Sequence, residues 1–366
     1  MLIFCFFNLH FYDIAFCLMI IFMHVFLQKE EIVKTILLTA SIGLVSSISY
    51  ASVAPASKTI ELEPAVVHSG QNYMAMVEKP VKKLYMMTWS SDEKYNHLSA
   101  LNLKNGQVVK VADTNGGSSI EVVDETIFVS ASSNTAQGIW TINTNGSEES
   151  LYNYVPMAGR LPIAVDQDTS EVYVGSNVND SVLKIIHGNG DDDYPEEGED
   201  YEFILDPIAE GCYAGCEPGA MFVDEDNQRL YLAYGLGEDA KIISSTLGEP
   251  SDVEREEEVT VGNGFINDTH DSIKQMVVDP KTKNIYFSND NFIYKAKVNN
   301  GRVKIKTLRT APDNLDFGIL GMAVDFEDNK IYWSEDYNIY SSNLQGNDIE
   351  LVLEHNMVPL DLSMGK

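Results

Sequence analysis

The feature that most constrains this chain is a motif repeated along its length. In four segments an apolar run ends in Val-Asp, and five residues later an apolar residue is followed by Tyr; these are 161–173, 220–231, 275–286 and 322–332. The segment 77–85 keeps this spacing with Glu in place of Asp, and a sixth segment near Ile127-Phe128 has a shorter turn. The resulting aromatic ladder has steps of 43, 45, 58, 55 and 46 residues and consists of Tyr85, Phe128, Tyr173, Tyr231, Tyr286 and Tyr332.

A second ladder, of glycines, follows the first in register. Its members are Gly106, Gly146, Gly190, Gly248, Gly301 and Gly346. Four of them follow an Asn, and Asn-Gly is a strong signal for a tight hairpin. Each unit therefore reads as four short strands, with the Val-Asp strand innermost. Six such units predict an all-β fold, a six-bladed β-propeller with four-stranded blades.

The carboxyl end predicts how the ring closes. Residues 358–364 resemble another innermost strand, but no aromatic strand follows them. We expect this segment to complete the first blade, whose other strands come from residues 83–113, because closure removes exposed sheet edges. Val77-Glu78 is the competing candidate for the same position.

Residues 1–57 are predicted to lie outside the propeller, which then spans residues 58–366. Two apolar runs, 14–27 and 35–48, flank a charged segment and precede small residues. This arrangement is typical of a secretory signal peptide, cleaved after Ala51 or alternatively after Ala56. The other reading is a retained membrane anchor, with the propeller on the luminal or extracellular side.

Export agrees with two further features of the sequence. Cys212 and Cys216 are the only cysteines beyond residue 57, and an oxidising compartment would let them form a disulfide. Three glycosylation sequons stand at Asn145, Asn179 and Asn267. We therefore expect a secreted glycoprotein.

The charge balance restricts the partners. The chain has 25 Lys and Arg against 55 Asp and Glu, a net charge of −30. Nucleic acids and anionic membranes require a basic footprint, so neither is expected to bind the propeller unaided. A membrane becomes relevant only if residues 1–57 are retained as an anchor.

The last repeat resembles a known family. Residues 321–335 read Gly-Met-Ala-Val-Asp-Phe-Glu-Asp-Asn-Lys-Ile-Tyr-Trp-Ser-Glu. This resembles the YWTD (class B) repeat of low-density-lipoprotein-receptor propellers and, more distantly, propellers of the gluconolactonase and strictosidine-synthase type. The resemblance implies that the aromatic ladder is structural. The same holds for the strand-end carboxylates Asp166, Asp224, Asp279 and Asp325, which we expect to cap backbone N–H groups.

The function predicted from these observations is a monomeric binding or scaffold module for a protein or peptide. The chain has no G-x-S-x-G elbow and no phosphate-binding loop, so a binding role is favoured over an enzymatic one. The alternative is a calcium-dependent hydrolase or lactonase. Resemblance to gluconolactonase-type propellers would place calcium in the central channel, with Glu217, Asp271, Asp316 and Asp361 as the positions to inspect.

The binding residues are expected on the face that carries the outer-to-inner loops, in particular those that lead into the innermost strands of blades four and five. Loops on a rigid scaffold concentrate binding residues. The candidates are Arg160, Glu217, Asp271 and Asp316. The acidic insert 191–200 follows a glycine turn and is expected on the opposite face.

Overall fold

A computed structural model describes most of the chain beyond residue 80. The described residues are 81–89, 96–114, 116–133, 136–147, 150–153, 161–176, 181–186, 201–205, 218–235, 240–247, 255–260, 272–299 and 302–365. They belong to one compact unit, Met76–Lys366. The proposed signal region, 1–57, falls outside them. Within these ranges no helix has the length and apolar character needed to cross a membrane.

The described residues are almost entirely strands. In chain order these are β1 Lys83–Trp89, β2 Asn96–Asn102, β3 Val108–Thr114, β4 Gly117–Val123, β5 Thr126–Ser133, β6 Ala136–Asn143, β7 Ser150–Asn153, β8 Ile163–Val165, β9 Val172–Ser176, β10 Ser181–Ile185, β11 Tyr201–Leu205, β12 Pro218–Asp224, β13 Arg229–Tyr234, β14 Lys241–Thr246, β15 Arg255–Thr260, β16 Gln275–Val278, β17 Asn284–Ser288, β18 Phe292–Asn299, β19 Arg302–Thr310, β20 Met322–Asp325, β21 Lys330–Glu335, β22 Asn338–Asn343, β23 Glu350–Glu354 and β24 Val358–Gly365. One 3-10 turn, Glu225–Asn227, follows β12.

These strands form six antiparallel sheets of four strands, which confirms the predicted propeller. Blades 2 to 6 are β4–β7, β8–β11, β12–β15, β16–β19 and β20–β23. Blade 1 has the order β24-β1-β2-β3. The chain's last strand is thus the innermost strand of its first blade, and Val77-Glu78 lies outside the described residues.

The inner turn, which joins the first and second strands of a blade, explains the Val-Asp repeat. Asp166, Asp279 and Asp325 each accept a hydrogen bond at Oδ1 from the backbone N–H two residues further on, at 3.0 Å in every case. Such side-chain bonds stabilise tight turns and confirm the predicted capping. Asp224 instead accepts hydrogen bonds from the side chains of Asn227 and Lys283.

The aromatic ladder lies in the contacts between blades, where the core is. Six hydrophobic clusters are present, and each combines residues of two neighbouring blades. Every ladder residue is buried, from Tyr286 at 0% to Tyr332 at 5% exposure. The repeated aromatic residue therefore packs each blade against its neighbour.

The glycine ladder occupies the hairpins between third and fourth strands where these are described. Gly106, Gly146 and Gly346 have φ of 72°, 79° and 80°, a region that favours glycine. They lie between β2 and β3, β6 and β7, and β22 and β23. Gly190, Gly248 and Gly301 lie outside the described residues.

Candidate functional site

A cavity of about 500 Å³ lies at the centre of the propeller. The innermost strands of all six blades line it, namely β24, β4, β8, β12, β16 and β20. It extends along the channel to the inner turns, where Asp224, Lys281 and Asp325 contribute to its wall. Since it is assembled from all six blades, its shape depends on closure of the ring.

Asp361, on β24, is a carboxylate of this cavity that accepts hydrogen bonds from three residues. Its Oδ2 accepts the backbone N–H of Ile120 at 2.9 Å, and its Oδ1 accepts that of Leu362 at 2.8 Å. Gln275, on β16, donates its Nε2–H to Oδ1 at 2.5 Å. The carboxylate therefore ties blade 1 to blades 2 and 5 and is held in one orientation.

Glu121, on β4, has a different environment. Burial, with smaller contributions from the negative charges of Asp361 and Glu225, raises the pKa of its carboxyl to about 8. Glu121 is partly buried and lies in the wall of the cavity. The described part of the chain offers Glu121 no hydrogen-bond donor. An acceptor of this kind is available to a ligand in the cavity.

Charged side chains surround the inner-turn end of the cavity. Lys82 lies 2.8 Å from Asp325, 3.1 Å from Glu327 and 3.0 Å from Asp328. Burial alone would lower the pKa of Lys82, but the hydrogen bonds to these carboxylates outweigh it, and the pKa is raised. Lys82 is therefore a structural cation that links blade 1 to blade 6.

On the opposite face, the one with the outer-to-inner loops, three aromatic rings form a surface that we call the aromatic platform. Trp89 and Tyr337 are 37% and 39% exposed, and Phe317 lies between them. The ring of Phe317 meets Trp89 edge-on at 6.1 Å and Tyr337 at 5.9 Å. Phe317 also donates its backbone N–H to Asp336 Oδ1 at 2.8 Å, which fixes the loop. The platform crosses the junction of blades 6 and 1.

Two of the predicted site carboxylates are described, and they lie in different places. Asp361 faces the central cavity, whereas Asp316 is exposed and directly precedes Phe317 of the platform. Its backbone N–H donates to Asp336 Oδ2 at 3.3 Å. Arg160, Glu217 and Asp271 lie outside the described residues. Among those described, no three His, Cys, Asp or Glu side chains are grouped so that they could hold a metal ion.

Of the predicted glycosylation and disulfide sites, one lies among the residues that the structure describes. Asn145 is exposed in the hairpin between β6 and β7, and its Oδ1 accepts the backbone N–H of Ser147 at 2.8 Å. The other sites lie outside the described residues; they are Asn179, Asn267, Cys212 and Cys216.

The sequence reasoning missed Glu121, Gln275 and the aromatic platform. Glu121 could have been noticed in the sequence, because it is an acidic residue inside the apolar innermost strand Gly117–Val123. The sequence indication for Trp89 is weaker: this residue stands at the end of β1, where the buried residues of that strand stop. No sequence pattern near either residue indicates which residues it contacts in the folded protein.

Comparisons with known proteins place the chain by its fold. A scan against protein-family models finds no match, and no curated protein is similar in sequence. A chain from the crystal structure of a nidogen/laminin complex superposes with a TM-score of 0.57 at 11% identity; the match covers 78% of this chain and 98% of that one. A protein from Lactobacillus plantarum superposes with a TM-score of 0.50 at 14% identity; this match covers 78% of this chain and 99% of that one. At these identities the likeness shows the fold alone.

Proposed function

We propose that this chain is an extracellular binding module that recognises a protein or peptide at the aromatic platform. The observation that carries the proposal is the exposure of Trp89 and Tyr337 on a rigid scaffold. Trp and Tyr are enriched at the energetic centres of protein interfaces, because they supply large contact areas at a small entropic cost. The platform also lies on the face that the sequence analysis favoured.

The family resemblance supports the same proposal. Tyr332-Trp333-Ser334-Glu335 matches the YWTD pattern, and Trp333 is fully buried, with its Nε1–H donated to Glu335 at 3.0 Å. The motif here is thus structural. One structurally similar chain comes from a nidogen/laminin complex, an assembly of two proteins. The motif supports the proposal that this chain is a class B propeller.

The extracellular setting rests on the amino-terminal sequence. We expect secreted protein to begin after Ala51, to contain a Cys212–Cys216 disulfide and to carry a glycan at the exposed Asn145. Mass spectrometry of the secreted protein measures its first residue, its disulfide and its glycan in one experiment. An uncleaved amino terminus together with free thiols would contradict this setting.

The binding proposal is tested with a peptide library displayed on phage and selected against the secreted propeller. Peptides that bind the platform should lose affinity by about 30-fold or more with Trp89→Ala or Tyr337→Ala, the size expected for a hot-spot residue. The control variants are Val109→Ala and Leu351→Ala, whose side chains are 52% and 55% exposed on outermost strands. Thermal melting verifies that every variant is folded.

Affinity that falls only in the platform variants supports the proposal. If selected peptides bind all four variants as they bind the unmodified protein, the platform is not the binding surface.

A second candidate, the calcium-dependent hydrolase, is favoured by one observation. Asp361 does face the channel, as a calcium ligand would have to do, and hard oxygen donors suit calcium. Metal analysis of the purified protein, coupled to a lactone hydrolysis assay with and without calcium, tests this role. Turnover that requires calcium and disappears in Asp361→Asn would support the enzyme, whereas no turnover would exclude it.

A further inference from the structure

We propose that blade 5 carries a second binding surface, which takes a linear sulfated polysaccharide. Four lysines form this surface, which we call the lysine strip: Lys295 and Lys297 on β18, and Lys304 and Lys306 on β19. The strip is separate from the aromatic platform and does not depend on the role proposed for it. The choice of an extracellular polymer rests on the proposed secretion, whereas the binding itself can be measured without it.

Blade 5 reverses the charge of the rest of the chain. The chain has a net charge of −30, yet residues 275–310 contain eight Lys and Arg against two Asp. About a third of the chain's 25 basic residues therefore lie in one blade. A local positive potential of this kind attracts anions even though the whole protein is acidic.

The strand register places all four lysines on one face of the sheet. Lys295 lies opposite Lys306, and Lys297 lies opposite Lys304. Residues two apart in a strand point to the same side, so the two pairs are adjacent. Lys297, Lys304 and Lys306 are exposed, and Lys295 is half-buried. The strip is therefore a compact cluster of positive charge that solvent reaches.

The strip lies on the side of blade 5 that faces blade 6. Lys295 donates a hydrogen bond to the hydroxyl of Tyr286 at 2.7 Å, and the Tyr286 ring lies 6.0 Å from that of Phe326 in blade 6. Lys306 donates to the carbonyl oxygen of Gln345, in the hairpin between β22 and β23, at 2.8 Å. The other two lysines form no hydrogen bond with a described residue, so their ammonium groups are available to a ligand.

The lysines of the strip form no ion pair with any described residue. By contrast, Lys82, Lys110 and Lys283 each contact a carboxylate. Blade 3 shows the favourable arrangement, because it places Lys184 opposite Glu202. Like charges directly opposite each other destabilise a sheet, and blade 5 has two such pairs side by side. An anion that lies over the strip would remove this repulsion.

The charges of the strip act on one another, which favours an extended polyanion over a single small anion. Burial lowers the pKa of Lys295, the charge of Asp279 raises it, and the charges of Lys306 and Lys297 lower it further. Residues two apart in a strand are separated by about 7 Å, so the strip is longer than one sulfate group. A chain that carries several sulfate groups can neutralise both lysine pairs at once.

The surroundings of the strip favour a thin polysaccharide over a membrane or a nucleic acid. A flat anionic membrane at this end of the propeller would also meet the inner turn of blade 6, where the side chains of Glu327 and Asp328 are 77% and 61% exposed. Single-stranded nucleic acids are held by aromatic stacking, but Tyr286, Phe287 and Tyr294 of blade 5 are buried. A sulfated chain along β19 contacts the lysines and avoids the acidic turn.

The experiment measures the binding of heparin, a heavily sulfated polysaccharide, by isothermal titration calorimetry of the purified protein at about 0.15 M salt. The double variant Lys297→Gln, Lys304→Gln should weaken binding by about tenfold or more, the size expected when two exposed charge contacts are lost. The matched control is Lys104→Gln, Lys110→Gln, which makes the same change in net charge at exposed positions of blade 1 and should keep its affinity. Hyaluronan, which has carboxylates but no sulfate, should bind more weakly than heparin.

Four results would overturn the proposal. These are no binding of heparin, an unchanged affinity in the strip variant, an equal loss of affinity in both double variants, and equal affinity for hyaluronan. Polyuridylate and vesicles of equal parts phosphatidylserine and phosphatidylcholine are titrated in parallel. Tighter binding of either one than of heparin would assign the strip to a nucleic acid or to a membrane instead. Thermal melting verifies folding, and the strip variant should melt no lower than the unmodified protein because it loses like-charge repulsion.

Discussion

At the scale of single residues, Glu121 and Asp361 lie in the same channel but have different hydrogen-bond environments. Asp361 accepts two backbone N–H groups and the amide of Gln275, so its hydrogen-bonding needs are met within the fold. Glu121 lacks such donors among the described residues and lies near the charges of Asp361 and Glu225. Burial therefore disfavours its ionised form, which makes Glu121 a site where pH affects stability.

We predict that Glu121 makes the protein less stable as pH rises from about 5 to 8. Its folded pKa of about 8 lies above the ordinary value of 4.5, so the folded state binds the proton more tightly. The stabilisation is complete below pH 4.5 and is lost as pH rises through 8. Glu121→Gln removes this loss, and its advantage over the unmodified protein should grow by roughly 1–3 kcal/mol across that range. Urea unfolding at several pH values measures it, and equal slopes for both proteins would contradict the prediction.

At the scale of elements, the inner turns are joined from blade to blade by ion pairs. Lys283, three residues before the ladder residue Tyr286, contacts Asp224 of the preceding blade at 2.6 Å. Lys82 stands three residues before Tyr85 and contacts Asp325 of blade 6 in the same way. At these two junctions the Val-Asp carboxylate both contributes to its own turn and holds the neighbouring blade.

We predict that Lys283→Met destabilises the protein by roughly 2–4 kcal/mol. The Asp224 side chain is 0% exposed, so removing the lysine leaves a buried charge without its cation. The control is Lys330→Met, because the Lys330–Glu350 pair is 3.8 Å apart and its side chains are 43% and 68% exposed. That change should cost less than about 1 kcal/mol. Similar losses of unfolding free energy in both variants would contradict the structural role of the Lys283–Asp224 pair.

At the scale of the whole molecule, stability depends on the closing strand. β24 pairs with β1 from Lys83 to Trp89, and Leu362 packs in the cluster between blades 6 and 1. Asp361 and Ser363 also accept backbone N–H groups of β4, in blade 2. This strand therefore contacts blades 2, 5 and 6 besides its own, and its loss would open the ring.

We predict that deleting residues 358–366 abolishes the single cooperative unfolding transition. The deletion exposes an unpaired sheet edge on β1 and removes one wall of the cavity. Leu362→Ala provides a milder test that keeps the strand in place. That side chain is 3% exposed, and its truncation should cost roughly 2–4 kcal/mol. Leu351→Ala, at 55% exposure, should be nearly neutral. A truncated protein that kept its melting temperature would contradict the closure.

The architecture could be predicted from the sequence because its signals are local and repeated. The ladder tyrosines, the Val-Asp turns and the Asn-Gly hairpins each lie within one blade, where strand period and turn chemistry determine the structure. Closure by residues 358–364 was also predicted, since that segment has the pattern of an innermost strand without the strands that should follow it. Repetition made each weak local signal strong.

Only the tertiary structure decided which side chains meet. Asp361 lies 241 residues from Ile120 and 86 from Gln275, and no pattern within a blade relates them. Trp89 and Tyr337 likewise share a surface only because blades 6 and 1 become neighbours when the ring closes. Burial within the ring, with a smaller contribution from the nearby charge of Asp361, likewise raises the pKa of Glu121. Local interactions specify the blades, whereas the channel and the platform arise from contacts between blades that a linear sequence does not contain.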